Sequence, residues 1–514
     1  MLARVQSMGV LGIDGYALGV EVDNRPGEYA FRIVGLPDAA IKEAEVRVGS
    51  AVRNSGFHNP RGVTAVNLAP ADVRKEGSAL DLPIAMGMLA ASGQHRGERF
   101  QEYAVVGELA LDGTVRPIKG ALSMAIAARE LGYKGIVLPP HNAAEAGVVP
   151  GIEAIPVKHL NEAAGFLAGL EEVASHDTDV DALFTEANRN LPDLAEVRGQ
   201  EHVKRALTVA AAGGHNMLMI GPPGTGKTML ASRLPGILPR MDFEEALETS
   251  RIYGVSNVAN GRSGLIASRP FRAPHHTATT VSIAGGGAGQ QPMPGEVSLA
   301  HNGVLFLDEL PEFNRAALEV LRQPLEEGLV HIRRTMYSVT YPSRFMLVAA
   351  MNPSPSGGYP DDPSGQYRCT PGEMQRYRNR ISGPLLDRID IHVEVPALSF
   401  EELTDERPSG PTSAEVAAVV QACRDTQVKR YKGRFRCNAH LDSKATRAHC
   451  QVDDAAKALL EQAMTRMGLS ARAYDKILRV ARTIADLDHA GPITDVHVGE
   501  AIQYRSLDRE YEPT

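Results

Sequence analysis

Eight consecutive residues form a pattern that binds nucleotide phosphates in many proteins. The pattern is G-x-x-x-x-G-K-[ST], made here by Gly221, Pro222, Pro223, Gly224, Thr225, Gly226, Lys227 and Thr228. Its glycines let successive backbone N–H groups converge on phosphate oxygens, and the dipole of a following helix favours the negative charge. The lysine would reach the β and γ phosphates, and the threonine hydroxyl would bind Mg²⁺. We therefore expect the chain to bind ATP with Mg²⁺.

A second motif supplies the carboxylates that hydrolysis requires. The apolar run at residues 304–307 predicts a buried strand, and Asp308 and Glu309 follow it directly. Asp308 is expected to hold Mg²⁺ through water, and Glu309 to polarise the attacking water. Carboxylates often end a strand by chance, so this motif gains its meaning from the phosphate loop.

Asn352 ends a third apolar run, residues 345–351. Its side-chain amide could orient water or contact the γ-phosphate from a neighbouring strand end. The alternative is an asparagine that only makes a turn before Pro353.

Arg388 comes just before another predicted strand, residues 391–395. An arginine supplied across a subunit boundary stabilises the charge of phosphoryl transfer and can raise the rate by about 10³ or more. The alternative is an ion pair with Asp387 or Asp390.

The surrounding sequence predicts the elements that position these residues. Residues 216–220 are typical of a buried strand and residues 229–234 of a helix, which is the context that the phosphate loop requires. From about residue 413 the periodicity becomes helical. The patterns therefore predict several apolar strands in the region of the phosphate loop, followed by a helical region.

Composition indicates a globular protein of several domains. The 514 residues suggest about three domains, and 43% hydrophobic with 23% charged residues is typical of soluble proteins. The four cysteines contain no CxxC pair, and no apolar run is long enough to span a membrane, so we expect a cytoplasmic protein without a membrane partner. A net charge of −8 limits nucleic-acid contacts to local patches.

Further motifs carry a family resemblance over essentially the whole chain. They are R-A-P-H-H-T at residues 272–277, the glycine-rich residues 284–287, P-G-E-V-S-L-A-H-N-G at residues 294–303, and R-I-S-G-P-L-L-D-R at residues 380–388. Together with the phosphate loop they resemble the ComM/YifB family of magnesium-chelatase-like AAA+ ATPases. The resemblance implies an α/β AAA+ P-loop ATPase core, in which helices flank a parallel sheet, with a C-terminal helical lid. It also implies that Arg388 is an arginine finger acting on a neighbouring chain, and that Arg472, or alternatively Arg479, is a second sensor facing the nucleotide from the lid.

The N-terminal region resembles the Lon protease domain, an α+β fold, chiefly through residues 107–118. Lon-type proteases attack the peptide with a serine that a lysine activates. Aligning residues 76–80 on the serine motif places Ala79 at the nucleophile position, and Leu122 falls where the lysine should be. A dyad of Ser78 and Lys119 would need a shift in register, which on a strand reverses the facing side. We therefore expect an inactive, protease-like domain. The predicted partition is residues 1–170 for this domain, 171–190 for a linker, 191–399 for the ATPase core and 400–514 for the lid.

Two observations bear on metal sites other than the expected magnesium site. Adjacent His275 and His276 point in different directions on a strand or a helix, so they are not expected to share a metal. The family commonly shows two Cys-x-Cys pairs after its sensor asparagine, where this chain has Ser354, Ser356 and Cys369. We therefore expect no structural zinc.

Two basic clusters are candidates for DNA binding. Lys429, Arg430, Lys432 and Arg434 are interleaved with Tyr431 and Phe435, a mixture suited to phosphates and base stacking, although such runs are often only solvated faces. Arg333 and Arg334 lie between the acidic strand and the asparagine strand. Related ring ATPases have a hairpin at this place that projects into the central pore.

The resemblance implies an ATP-driven ring, expected to be a homo-hexamer, with a helicase-type activity on single-stranded or branched DNA. Such an activity promotes branch migration in natural transformation or homologous recombination, alongside other recombination proteins. One alternative is a chelatase-type ATPase that remodels a protein partner for metal insertion. Another is an ATP-dependent Lon-like protease, which Ala79 and Leu122 disfavour.

Overall fold

The computed structural model describes residues 1–75, 77–189, 191–256, 264–287, 292–333, 338–359, 369–399, 401–402 and 410–505. The chain forms two compact units. The first comprises Met1–Thr185 with Ala246–Ile266, and the second comprises Glu186–Glu245 with Ala267–Thr514. Among the described residues, no helix is long and apolar enough to cross a membrane.

The first unit is an α+β fold built on two main sheets. Its strands are β1 (Leu2–Leu11), β2 (Asp14–Arg25), β3 (Ala30–Val34), β4 (Val63–Ala69), β5 (Tyr103–Val105), β6 (Glu108–Leu109), β7 (Val115–Arg116), β8 (Gly135–Leu138) and β9 (Glu153–Pro156). The orders are β1-β2-β4-β3 and β5-β8-β9, and β6 pairs with β7. Its helices are Ala39–Lys42, Ala44–Asn54, Asp81–Ala91, Ala121–Glu130, Pro140–Ala146 and Leu160–Leu167.

Helix Asp81–Ala91 forms the centre of this unit, since all eleven of its residues are buried. It packs on β1 and β2 so closely that a Cβ at Gly87 would lie 2.5 Å from a methyl carbon of Val22. Its first residue carries a charge into the interior. Arg47 pairs with the Asp81 carboxylate through Nε at 2.8 Å and a terminal nitrogen at 3.0 Å. Desolvation dominates and raises the pKa of Asp81, although Arg47 opposes it.

The second unit is built on a five-stranded parallel sheet of order β11-β14-β17-β10-β18. Its strands are β10 (Met217–Ile220), β11 (Phe271–Arg272), β12 (Gly285–Gly286), β13 (Met293–Pro294), β14 (Val304–Leu307), β15 (Leu329–Arg333), β16 (Ser338–Pro342), β17 (Met346–Met351) and β18 (Ile391–Glu394). β10, β14 and β17 are buried throughout because apolar clusters cover both faces of the sheet. The predicted parallel α/β core is confirmed.

Helices surround this sheet and form the C-terminal region. Those before residue 400 are Glu201–Gly213, Lys227–Ser232, Leu234–Ile237, Thr280–Ala284, Glu296–Leu299, Arg315–Glu319, Arg322–Glu327, Pro371–Arg378 and Gly383–Leu386. Those after it are Ser413–Tyr431, Ser443–His449, Asp454–Met467, Ala471–Leu487 and Asp495–Gln503. Short 3₁₀ helices span Leu194–Glu196, Leu310–Glu312 and Asn438–His440. We call Ala471–Leu487 the lid helix; it packs against Glu201–Gly213.

The two units do not follow the predicted partition throughout, since the linker residues divide between them after Thr185 and the predicted core and lid fall in one unit. Residues 246–266, predicted to belong to the ATPase core, group with the first unit, and they include most of helix Phe243–Val255. Arg251 on this helix donates hydrogen bonds to the Ile13 carbonyl and the Asp14 carboxylate. The predicted linker contains helix Val180–Ala187, which has no buried residue.

We expect Arg47→Ala to lower the local free energy of unfolding of the first unit by about 3 kcal/mol, because it leaves the Asp81 carboxylate buried without its cation. Hydrogen exchange of backbone amides in residues 1–75 and 77–185 would measure this change. Arg53→Ala is the matched control, since Arg53 is exposed on the same helix. Equal protection in both variants would contradict the assigned role of the ion pair.

Candidate active site

The site lies where three neighbouring strands of the second unit end. β10 is paired in parallel with β17, and β17 with β14, so their carboxyl ends share one edge of the sheet. The phosphate loop follows β10, Asp308 and Glu309 follow β14, and Asn352 follows β17. The structure thus brings together three of the motifs that the sequence predicted separately.

Backbone geometry explains two glycines of the phosphate loop. A Cβ at Gly221 would lie 2.1 Å from the carbonyl oxygen of Val395, so only glycine fits there. Gly226 has φ of 84° and immediately precedes helix Lys227–Ser232. This left-handed conformation turns the loop directly into a helix N-terminus, where backbone N–H groups favour an anion.

The Lys227 ammonium is held at the centre of the loop. Its Nζ donates to the carbonyl oxygens of Gly221 at 2.6 Å and Pro222 at 2.8 Å, and it lies 3.4 Å from Asn352 Oδ1. Desolvation lowers the pKa of Lys227, and the nearby Asp308 and Glu309 carboxylates oppose this effect. These contacts support the predicted position of Asn352 at the phosphate site.

Thr228 and Asp308 fit the expected Mg²⁺ ligands. The Thr228 hydroxyl donates to Asp308 Oδ2 at 2.8 Å, so two oxygen ligands from different elements lie side by side. Mg²⁺ prefers such hard oxygen ligands and keeps several waters when it binds few protein groups. When bound, the ion would neutralise charge that develops on the phosphates.

Glu309 adopts a strained backbone and has a partner that sequence reasoning missed. Its φ is 52°, a left-handed conformation that costs about 1–3 kcal/mol outside glycine. The His276 Nδ1 lies 3.1 Å from Glu309 Oε2. His276 comes four residues after β11, and β11 pairs in parallel with β14, so it reaches the same sheet edge. The R-A-P-H-H motif marks His276 in the sequence, but its contact with Glu309 depends on the pairing of β11 with β14 and has no local signal.

Arg388 lies at the opposite edge of the sheet. It comes just before β18, whose first residue, Ile391, pairs with Met217 at the start of β10. Its guanidinium donates to the Pro384 carbonyl and the Glu326 carboxylate. The predicted alternatives Asp387 and Asp390 are therefore not its ion-pair partners among the described residues.

The two candidate second sensors also lie near this opposite edge. The exposed Arg472 has a terminal nitrogen 3.7 Å from Asp387 Oδ2. Arg479 donates to the carbonyl of Ala439 at 2.9 Å and lines a cavity of about 540 Å³ together with Arg388. These contacts place both arginines with the Arg388 segment, and the second-sensor role of Arg472 or Arg479 stays a prediction.

The lid cluster of DNA-binding candidates divides into structural and exposed residues. Arg430 forms a two-pronged ion pair with the buried Asp486, at 2.8 and 2.5 Å, which raises its pKa. Tyr431 is buried, and its hydroxyl donates to Asn438. This corrects the suggestion that these two side chains contact DNA. The exposed candidates of this cluster are Lys429, Lys432 and Arg434.

The second basic cluster lies on an antiparallel hairpin. β15 pairs with β16, and the exposed Arg333 occupies the last position of β15. Arg334 lies outside the described residues. The hairpin expected from related ring ATPases is therefore present, with one candidate cation at its described end.

The protease-like positions in the first unit lack a serine–lysine pair. The Ser78 hydroxyl donates to the Glu108 carboxylate. The Ala79 carbonyl accepts from the Gly107 amide at 2.8 Å, and the Leu122 side chain is buried at the start of helix Ala121–Glu130.

The absence of structural zinc stays a prediction.

Comparison with known families gives three matches along the chain. Residues 193–403 match the family described as magnesium chelatase, subunit ChlI, and residues 410–505 match its C-terminal family. Residues 20–142 match the family described as subunit ChlI of Mg-chelatase.

Two relatives match nearly the whole chain, and a third matches a short stretch of it. The uncharacterized protein YifB of Escherichia coli is 45% identical over 508 residues, which are 99% of this chain and 98% of YifB. The competence protein ComM of Haemophilus influenzae is 44% identical over 511 residues, again 99% of this chain and 98% of the relative. An archaeal Lon protease from Archaeoglobus fulgidus is 40% identical over 54 residues, 10% of this chain and 9% of that protease.

His276→Ala is expected to lower kcat for ATP hydrolysis about tenfold and to leave KM within about twofold, because the change frees the Glu309 side chain without touching the phosphate loop. His176→Ala is the control, since His176 is an exposed histidine of the first unit, whereas the His275 ring packs on that of His276 with centroids 4.0 Å apart. Steady-state turnover against ATP concentration separates the two parameters. A change in KM alone, or equal effects of both substitutions, would contradict the orientation of Glu309 by His276.

Proposed function

Because this chain belongs to the ComM/YifB family of magnesium-chelatase-like AAA+ ATPases, we propose that it is an ATP-driven ring motor that acts on DNA. The motor is a homo-hexamer in the cytoplasm. It promotes branch migration on single-stranded or branched DNA during natural transformation or homologous recombination, together with other recombination proteins. The name of a relative over nearly the full length, the competence protein ComM of Haemophilus influenzae, supports the link to natural transformation.

The separation of Arg388 from its own phosphate loop carries the ring proposal. β10 has four residues and so spans on the order of 13 Å, with the loop at its carboxyl end and the Arg388 segment beside its amino end. An arginine finger must reach the γ-phosphate, so Arg388 acts on the nucleotide of a neighbouring chain. Each chain then carries two halves of different sites, and head-to-tail association that closes completes all of them.

The positions of Arg472 and Arg479 fit the same arrangement. Arg479 shares the cavity of Arg388, and Arg472 lies against Asp387, which precedes Arg388 in the chain. We assign the second-sensor role to this edge of the sheet, toward the neighbouring nucleotide. Between the two, Arg479 is the more enclosed, whereas Arg472 is 77% exposed and better able to move toward phosphate.

DNA is proposed to contact local cations, because the whole chain is acidic at −8. Arg333, on the β15–β16 hairpin, would grip the strand within the pore, and Arg334 continues the same sequence. The exposed Lys429, Lys432 and Arg434 form the second candidate contact. Hydrolysis at each subunit boundary would shift the hairpins and move the strand.

A second candidate function is a chelatase-type ATPase that remodels a protein partner for metal insertion. The observation that favours it is the description of all three matching families as magnesium chelatase subunit ChlI. An ATP-dependent Lon-like protease is disfavoured, because Ala79 and Leu122 replace the two groups that the chemistry requires.

The function is tested by strand exchange on a three-stranded junction with ATP, together with ATP turnover with and without that DNA. We expect exchange to require ATP and turnover to rise with DNA. Glu309→Gln should abolish both activities and retain nucleotide binding, because it removes the carboxylate that polarises water. If turnover depends on Glu309 but no DNA changes it, the protein is an ATPase whose substrate is not DNA. That result would favour the chelatase-type function.

Arg333→Ala is expected to remove most of the DNA stimulation of turnover and to keep basal turnover within about twofold, since the hairpin is separate from the ATP site. The salt dependence of DNA binding should also become shallower by about one phosphate contact. The control is Lys457→Ala, which removes an exposed cation from helix Asp454–Met467. Equal loss of basal and stimulated turnover would contradict a DNA contact at Arg333.

A further inference from the structure

One buried lysine of the lid helix holds the chain segment that contains Arg388. The Lys476 ammonium donates to the carbonyl oxygens of Asp387 and Ile389, the latter at 3.1 Å. It also lies 3.8 Å from Asp390 Oδ1. The two carbonyls flank Arg388 on both sides, so a single side chain fixes the backbone before and after it.

Two other side chains complete this hold. The Asn216 amide donates to the Arg388 carbonyl at 2.9 Å, and Arg505 donates to the Ile389 carbonyl at 2.8 Å. Three consecutive carbonyl oxygens, from Asp387 to Ile389, are therefore fixed by side chains from three other parts of the second unit. Asn216 precedes β10, whereas Lys476 lies on the lid helix.

Packing alone does not require a lysine at this position. The side chain of Lys476 is 7% exposed, and burying an ammonium costs free energy that an apolar side chain of similar volume would not. What the ammonium provides is three N–H donors on one atom, enough for two carbonyls and a carboxylate. A methionine could fill the space but could hold none of these groups.

We propose that Lys476 is a positioning residue for Arg388, through which the lid helix sets the arginine in the active site of the neighbouring chain. This rests on the proposed function, since Arg388 acts on a neighbour only in a ring. Lys476 itself touches no phosphate. Misplacing a reacting or stabilising group by about 1 Å can cost about 10²-fold in rate, so rigid backbone support at this segment matters for hydrolysis.

Charge on Lys476 gives this hold a pH dependence. Burial lowers the pKa of Lys476 to about 8, while Asp390 and Asp387 oppose this and Arg505 and Arg479 add to it. Other charged or titratable groups of this region are His392 on β18, His215 before β10 and Arg472 on the lid helix. The cavity that Lys476 lines adds Glu326, Glu327, Arg344, Arg434, Arg436 and His440. As pH rises through about 8, the lysine loses its charge and its attraction to Asp390. The part of turnover that depends on Arg388 should fall in the same range.

A mixed-subunit experiment separates this role from a general effect on folding. Glu309→Gln chains cannot hydrolyse their own ATP but can donate Arg388, and Arg388→Ala chains can hydrolyse only when a neighbour donates it. We expect the mixture to regain turnover that neither variant shows alone. Lys476→Met added to the Glu309→Gln chain should reduce this turnover about tenfold. Added to the Arg388→Ala chain, which donates no finger, it should change turnover by less than about twofold.

Controls complete the design. Lys457→Met replaces an exposed lysine in the donor chain and should have no effect, and Lys476→Arg, which keeps charge and donors, should restore most of the turnover. The mixture with Lys476 intact should lose turnover between about pH 7 and 9, whereas the Lys476→Arg donor should not. This pH comparison stands even if Lys476→Met does not fold.

Equal loss from either chain, or no loss from the donor chain, would overturn the positioning role. A pH profile that is the same with lysine and arginine would overturn it as well. Failure of the Glu309→Gln and Arg388→Ala chains to complement each other would reject the shared site itself, and the role of Lys476 with it.

Discussion

Strand polarity is the constraint on which the rest of this structure depends. In a parallel sheet every carboxyl end lies at one edge and every amino end at the other. The phosphate loop, Asp308, Glu309 and Asn352 occupy the first edge, and Arg388 occupies the second. Under the proposed function, the sheet therefore separates groups that one phosphoryl transfer needs together, and no change of rotamer within one chain can unite them.

The local parts of the candidate site could be predicted from sequence, because each is a short motif at a strand end. The geometry of the phosphate loop and the position of Asp308 are set by residues that are close to them in the sequence. His276 could not be placed in this way, since its contact with Glu309 depends on the pairing of β11 with β14, more than thirty positions apart along the chain. The contact between Lys476 and Ile389 spans 87 positions and leaves no local signal.

Burial and ion pairing determine which basic side chains are available to DNA, and the sequence pattern alone did not predict them. The stretch that contains Arg430 and Tyr431 has the composition of a nucleic-acid contact, yet Tyr431 is buried and the half-buried Arg430 is paired with Asp486. Their neighbours Lys429 and Lys432 remain exposed. Sequence composition also could not predict that residues 246–266 group with the first unit, because this grouping depends on tertiary contacts.

The Asp486 carboxylate forms ion pairs with two arginines, Arg430 and Arg482. It accepts from Arg430 and from Arg482 Nε at 3.0 Å, and its side chain is 1% exposed. A neutral residue at position 486 would leave two guanidiniums without their counter-charge, so a single substitution there is expected to destabilise the lid. Among diverging copies of this chain, the three residues should be replaced as a set or kept as a set. The charged side chains inside the lid are therefore expected to change together during evolution.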